Sequence, residues 1–356
     1  MRQSYVFFLN LRTERSDTGS WSLARTKSPS IVDVVRQSPV ANLATLLVIV
    51  AVAFVRSGAT AFDAEAIPDT AAFLGRHIAA FQAAFPSLGA FLAATAFFVS
   101  GWWLGQVVRV RELYFVRTTV TIPFYGFVAC GIFVAHDSLT AALSSMLLVV
   151  AMRSFYSAFR DGYGFSPLFF ASFCLGAIPL LYAPALPLAA LMPLAVLLFK
   201  RSAREALVAA VGFLLPAAAA CYVTWGLGGE FLSPLFETWD ALMLPSGYRL
   251  FGHISVGSGL LFAYLLALVL SAIFFCCVNL YSLGSRARYI TVYNMCAFVV
   301  SLAVPAMPGA TPGALALVAV PAALMIPAML VRLHKNMSTM IYAVLILICA
   351  VHIFIA

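Results

Sequence analysis

Acidic, imidazole and guanidinium side chains collect in two polar stretches, residues 56–86 and 226–255, of an otherwise apolar chain. A carboxylate can act as a general base, and an arginine can hold a phosphate through charge-assisted hydrogen bonds. The candidate catalytic acids are Asp63, Glu65 and Asp69. The candidate residues for binding a substrate phosphate are Arg76, Arg249 and His253. No metal ligand is assigned, and the sequence does not indicate a cofactor.

A topological explanation competes with this chemical one. If basic residues are kept on one side of a membrane, acids collect on the other side without any function. Seven of the 13 acids would lie there: Asp63, Glu65, Asp69, Asp137, Glu230, Glu237 and Asp240. A catalytic site requires convergence, so at least one candidate acid should lie within about 8 Å of Arg249 or His253.

The composition indicates a membrane protein. Hydrophobic residues make up 63% of the chain and charged residues 10%, whereas soluble domains average about 25% charged. Apolar runs of roughly 15–22 residues recur and match a bilayer core of about 30 Å. The runs do not alternate apolar with polar residues, which favours helices over barrel strands. The net charge of +8 does not indicate nucleic acid, because the basic residues lie in short flanks between apolar runs.

Two apolar runs, residues 167–181 and 184–199, are separated by Tyr182 and Ala183 alone. Basic residues flank the outer ends of both runs. This pattern predicts a transmembrane hairpin with its turn outside, since cytoplasmic loops carry the excess of Lys and Arg.

Counting outward from this hairpin predicts an all-α polytopic bundle of about 11 spans over residues 39–356, preceded by a poorly ordered basic tail, residues 1–38. The predicted spans are 40–55, 87–107, 118–135, 138–152, 166–182, 184–199, 205–225, 256–277, 289–307, 313–331 and 338–355. Asn279 and Asn294, near or within spans, are expected to make interhelical hydrogen bonds.

Two helices are predicted to lie in the outer membrane interface. In the first, residues 69–85, aromatic and imidazole side chains recur every four residues opposite Arg76 and Gln82, which describes an amphipathic helix. The stripe consists of Phe73, His77, Phe81 and Phe85. The second helix, interfacial or re-entrant, includes Leu235 and Trp239.

The charge distribution predicts the orientation. With the amino terminus in the cytoplasm, 18 of the 21 Lys and Arg residues lie inside, which satisfies the positive-inside rule. An odd number of spans then places the carboxyl terminus in the periplasm. We therefore expect a multi-pass protein of a bacterial inner membrane whose main partner is the lipid bilayer.

Residues 111–216 resemble a family of polytopic inner-membrane proteins of the Bacteroidota. The resemblance rests on short motifs that end or begin apolar runs, of which residues 169–173 and the following Leu180, Leu181, Tyr182 and Pro184 are the clearest. The other resembling motifs are residues 122–124, residues 151–156, and Arg201 with Arg204 and Glu205. This resemblance implies a multi-pass membrane protein and assigns no activity.

The architecture is also similar to that of the GT-C membrane glycosyltransferases, which use polyprenyl-phosphate sugars. The first external loop of those enzymes carries interfacial helices and a catalytic acid. The similarity implies that Asp63, Glu65 or Asp69 is the acid here, although the Asp-Ala-Glu sequence at residues 63–65 departs from the usual acidic pair. The alternative hypothesis is a non-enzymatic transporter or membrane assembly subunit.

Overall fold

Helices form the regular secondary structure of the chain. The computed structural model describes residues 37–59, 72–111, 118–129, 138–159, 163–243, 256–311 and 313–355. All of them belong to one compact unit, Asp33–Ala356. No β-strand occurs among these residues, which confirms the all-α prediction. The predicted basic tail lies outside them, apart from its last two residues.

The described residues contain thirteen α-helices, which we number in chain order. They are α1 (Pro39–Ala59), α2 (Phe73–Ala84), α3 (Pro86–Arg111), α4 (Thr121–Ala129), α5 (Ser138–Ala158), α6 (Phe165–Leu181), α7 (Leu191–Leu198), α8 (Ala203–Gly226), α9 (Ser233–Met243), α10 (Val256–Val278), α11 (Ser285–Leu302), α12 (Ala314–Leu330) and α13 (Lys335–Ile355). A 3₁₀ segment, Ala183–Ala190, joins α6 to α7, and a second, Leu280–Ser282, follows α10.

Among the residues that the structure describes, four helices are long and apolar enough to cross a membrane. They contain the segments Pro86–Val108, Leu139–Ala158, Ala203–Gly226 and Gly259–Val278. Five shorter apolar helical segments accompany them: Pro39–Val52, Phe165–Leu181, Ala183–Leu198, Ala314–Leu330 and Asn336–Val351. These helices are compatible with a membrane protein, and the count of 11 spans stays a prediction.

Two predicted spans differ in form from single long helices, and a third is described only in part. Within residues 118–135, α4 covers Thr121–Ala129, and residues 130–135 lie outside the described residues. In residues 184–199 the first half is the 3₁₀ segment, because Pro184 and Pro187 cannot donate the backbone hydrogen bonds of an α-helix. The predicted span 289–307 stops being helical at Leu302, shortly before Pro305 and Pro308.

Helix α12 forms the centre of the bundle. Every one of its residues except Ala328 is buried, and it packs against α4, α5, α10 and α11. Its abundance of alanine lets neighbouring helices approach closely, as is typical of helix packing in membranes. Nearby, the hydroxyl of Tyr156 donates a hydrogen bond to Oδ1 of Asn294, which confirms the interhelical role predicted for this asparagine. Asn279, which directly follows α10, donates to the Phe275 carbonyl of that helix at 2.9 Å.

Helices α6 and α8 touch through glycines. A β-carbon built on Gly176 would lie 2.1 Å from the carbonyl oxygen of Phe213. A β-carbon on Gly212 would lie 2.7 Å from the carbonyl oxygen of Phe169. Each helix therefore offers a glycine to the backbone of the other, and any side chain at Gly176 would force the two helices apart.

Candidate functional site

Helix α2 lies against the end of the predicted hairpin. Its Gly75 faces the carbonyl oxygen of Leu181, where a β-carbon would approach to 2.2 Å. Its Gln82 is only 5% exposed and accepts a hydrogen bond from the backbone N–H of Leu139 at 3.4 Å. The prediction that Gln82 lies on the solvent face is therefore wrong. Gly75 allows the backbone of α2 to approach Leu181 closely. The Gln82 amide can be buried because it accepts the hydrogen bond from Leu139.

Three of the four side chains in the aromatic stripe of residues 73–85 are exposed, and Phe73 is half-buried. Phe81 and Phe85 are exposed, with ring centroids 5.6 Å apart, and Phe73 contacts His77 edge to face at 5.3 Å. An exposed apolar stripe is expected where a helix meets lipid. The helix predicted over residues 69–85 exists as Phe73–Ala84, and residues 69–71 lie outside the described residues. Its position in the membrane interface stays a prediction.

Helix α9 is the second element predicted in the outer loops. Ala241 and Leu242 are buried near its carboxyl end, in a small apolar cluster with Ala72, Ala183 and Met307. The side chains of Leu235, Phe236 and Trp239 are exposed. Pro234 is buried near the amino end as well, so the helix is anchored near both ends and presents large apolar side chains between them.

An ion pair joins the two helices. Nη1 of Arg76 on α2 lies 3.3 Å from Oε2 of Glu237 on α9, and the two side chains are 53% and 33% exposed. A pair this exposed contributes only about 0–1 kcal/mol to stability, because water screens both charges. Arg76 is therefore placed between the two helices and held by a weak partner. The sequence prediction assigned no role to Glu237, since the two residues are distant along the chain.

A cavity of about 440 Å³ lies between α6, the 3₁₀ segment Ala183–Ala190, α8 and α9. Its walls are almost wholly apolar, with side chains contributed by all four elements. They include Pro179, Leu186, Phe213, Leu214, Phe236 and Trp239. Thr238 lends a hydroxyl to the lining, but this hydroxyl donates to the carbonyl of Pro234 at 2.7 Å. The cavity is in the size range of about 300–1,000 Å³ typical of ligand pockets.

The cavity and the ion pair involve opposite faces of α9. The residues of α9 that line the cavity are Leu235, Phe236, Thr238, Trp239 and Leu242, and Glu237 lies about half a turn away from the centre of the face that they share. Leu214 is 62% exposed at the edge of the cavity, on a helix apolar enough to cross a bilayer. The apolar lining suits a hydrocarbon group.

The remaining candidate site residues lie outside the described residues. These are Asp63, Glu65 and Asp69 of the first stretch and Arg249 and His253 of the second. Their predicted convergence therefore stays a prediction. Among the residues that the structure describes, no group of three or more His, Cys, Asp or Glu side chains could hold a metal ion.

A buried polar cluster lies at the amino-terminal end of α8. The Glu205 carboxylate accepts hydrogen bonds from the backbone N–H of Gly164 at 2.6 Å and of Ser202 at 3.0 Å. Nη1 of Arg201 lies 3.4 Å from the same carboxylate, and Nη2 donates to the Ala158 carbonyl. The cluster ties the ends of α5, α6 and α8 together. The Ser-x-x-Glu spacing of Ser202 and Glu205 is a capping box, and this signal could have identified the cluster from the sequence.

No protein-family model matches the chain, and no curated protein and no solved structure matches it.

Proposed function

We propose that this chain is a multi-pass inner-membrane protein that handles a polyprenyl-phosphate-linked sugar at the periplasmic face, as a GT-C-like transferase. The observation that carries the proposal is the apolar cavity between α6, α8 and α9, which opens at the exposed side chain of Leu214. A polyprenyl-phosphate sugar has a long hydrocarbon chain and an anionic headgroup. The cavity suits the former and Arg76 suits the latter.

The proposed reaction is a glycosyl transfer to an acceptor hydroxyl. The hydroxyl oxygen attacks the anomeric carbon of the sugar and gives its proton to a carboxylate of the first loop, which is Asp63, Glu65 or Asp69. The bond between the anomeric carbon and the phosphate oxygen breaks, and its electron pair leaves with the polyprenyl phosphate. Arg76, Arg249 and His253 would stabilise the negative charge on that leaving group.

The test is the conversion of a polyprenyl-phosphate sugar to free polyprenyl phosphate by the full-length protein in nanodiscs, with parent membranes supplying the acceptor. Removal of a general base lowers rates by about 10²–10⁴-fold. We expect one of Asp63→Asn, Glu65→Gln and Asp69→Asn to cause such a loss without weakening donor binding.

Asp240→Asn is the matched control. Asp240 is an exposed carboxylate of α9 outside the proposed machinery, so its loss should leave turnover unchanged. If none of the three acid variants falls below the Asp240→Asn rate, the transferase proposal fails.

The second candidate function is that of a transporter or an assembly subunit. The exposed surface of α8 bears on whether a partner helix packs there. This helix exposes large aliphatic side chains such as Leu207, Val211 and Leu214, which are typical of lipid contact. Its Ala209 and Gly212 are buried within the protein. A subunit interface in a membrane uses small residues at the surface, and α8 also exposes Ala218 and Ala219, so this stretch is where a partner helix would pack.

A further inference from the structure

We infer that α9 can roll about its own axis, and that the Arg76–Glu237 ion pair holds it in the position that keeps the cavity open. When the pair breaks, the roll brings the apolar face of α9 onto α6 and α8 and narrows the cavity. The inference goes beyond the proposed function, because it concerns the shape of the cavity and requires no transfer reaction.

A line of small buried side chains provides the axis of this roll. Pro234 and Ala241 are both buried, and their spacing of seven residues places them on nearly the same face of the helix, about two turns apart. Ala241 packs in the apolar cluster with Ala72 and Ala183. A helix that is buried along one line can rotate about that line with the loss of few contacts.

The two sides of this line carry different contacts. Glu237 lies on one side and contacts Arg76. The cavity face, which includes Leu235 and Trp239, lies on the other side, as the helical repeat of about 3.6 residues per turn requires. A roll that lowers the cavity face onto α6 and α8 therefore lifts Glu237 away from Arg76.

Helix α2 is the fixed partner of the ion pair. Next to Arg76, a β-carbon on Gly75 would lie 2.2 Å from the carbonyl oxygen of Leu181, so the backbones touch there. Gln82 is buried and accepts a hydrogen bond from the backbone of α5. These contacts prevent α2 from following Glu237 when α9 rolls.

The segment before α9 permits the rotation. Residues 225–232 are exposed, and a β-carbon on Gly226 or Gly228 would meet nothing within 4 Å. Gly228 has a φ of 88°, which glycine adopts readily. The connection from α8 to α9 can therefore change its backbone angles with little packing to lose.

Two opposing contributions determine the position of α9. Leu235 and Trp239 are exposed, and their burial against Phe213 would be favourable in proportion to the area removed from water. The ion pair opposes this movement. Because both of its charges are partly exposed, its loss shifts the balance by only about two- to fivefold. Salt should have the same effect, because it screens exposed charges.

The reporter for the roll is a cysteine that replaces Thr238, a half-buried residue of the cavity lining and close to cysteine in size. The full-length protein in phosphatidylcholine nanodiscs reacts with N-ethylmaleimide, and peptide mass spectrometry measures the rate at this position. We expect Glu237→Gln to slow the reaction about two- to threefold, because the roll buries the reporter. A cysteine that replaces Asp240, which is exposed and does not line the cavity, should react at an unchanged rate.

Salt and a charge exchange identify the ion pair as the cause. Raising KCl from about 0.1 M to about 1 M shortens the Debye length to about 3 Å. This change should slow the Thr238→Cys reporter when Glu237 is present and leave it unaffected in the Glu237→Gln background. Combining Arg76→Glu with Glu237→Arg restores an ion pair and should restore the original rate.

Three results would overturn the inference. An unchanged reporter rate after Glu237→Gln would mean that the ion pair does not determine the position of α9. A faster rate would mean that the pair holds α9 towards the cavity and not away from it. Equal slowing at positions 238 and 240 would mean a general change of fold. None of these measurements involves turnover, so they can succeed when the transferase proposal fails, and fail when it succeeds.

Discussion

Gly176 is the residue that sets how closely α6 and α8 approach. A methyl group at this position would lie 2.1 Å from the carbonyl oxygen of Phe213, and a backbone atom cannot move aside as a flexible side chain can. We expect Gly176→Ala to destabilise the protein by about 1–3 kcal/mol, the usual cost of overpacking. Thermal unfolding in detergent would measure this loss.

Gly226→Ala provides the comparison for that measurement. Gly226 ends α8, and a β-carbon there would meet nothing within 4 Å. Alanine is a better helix former than glycine, so this variant should be as stable as the parent or slightly more stable. Equal losses in both variants would mean that the α6–α8 contact is not the cause.

Glu205 is the second residue whose removal should be costly. Its side chain is 4% exposed, and the side chain of its partner Arg201 is 9% exposed. Glu205→Ala would leave a buried guanidinium without its carboxylate, for which the typical penalty is about 3–5 kcal/mol. Glu230→Ala removes an acid that is exposed and should change stability by less than about 0.5 kcal/mol. A similar midpoint of thermal unfolding for the two variants would contradict the structural role of the cluster.

Sequence patterns predicted residue environments well where one local rule dominates. Asn294 was expected to bond a neighbouring helix because an amide among apolar residues needs a partner, and it bonds Tyr156. Gln82 was placed on the wrong face because its burial depends on a backbone N–H donated by Leu139, which is distant along the chain. No helical periodicity can report such a contact.

At the scale of elements, α2 has a definite inner and outer face. Arg76 is exposed, and Gln82 is buried against α5. We therefore expect a cysteine replacing Arg76 to react with an impermeant maleimide added from the periplasmic side, and a cysteine replacing Gln82 to be protected. Mass shift after labelling of intact spheroplasts would measure both reactions.

Native Cys277 provides an internal reference for the labelling. It is exposed near the end of α10, at the end predicted to face the cytoplasm. It should resist the impermeant reagent in intact spheroplasts and react after permeabilisation. Rapid labelling at position 82, or of Cys277 before permeabilisation, would contradict the packing of α2 or the orientation of α10, respectively.

The boundaries of elements could be predicted where prolines and charged residues interrupt the apolar runs of the sequence. Helix α6 ends at Leu181, where the predicted hairpin turns. The 3₁₀ form of residues 183–190 was missed, because hydropathy reports that a segment is apolar and not how its backbone coils. The cavity was also missed, since it depends on how four elements pack.

At the scale of the whole molecule, α8 relates the two polar regions. The Glu205 cluster lies at its first turn, and exposed Tyr222 and Trp225 lie near its end. Its 24 residues extend about 36 Å at 1.5 Å per residue, slightly more than the hydrocarbon core of a bilayer. Exposed aromatic residues near the end of an apolar helix are typical of a membrane interface. Helix α9, which carries Glu237 of the Arg76–Glu237 pair, follows this aromatic end in the chain.

The distribution of basic residues predicts the orientation of the molecule. With the amino terminus in the cytoplasm, 18 of the 21 Lys and Arg residues lie inside, including Arg201 beside Glu205, whereas Arg76 lies outside. We expect a cytoplasmic reporter to be active when fused after Lys27, and a periplasmic reporter to be active when fused after Ala356. The reverse fusions, with each reporter moved to the other end, should be silent. If both ends report the same compartment, the number of spans is even, and the prediction of 11 crossings fails. If the amino terminus reports the periplasm and the carboxyl terminus the cytoplasm, Arg76 and the cavity beneath α9 face the cytoplasm. The proposed periplasmic chemistry must then be abandoned.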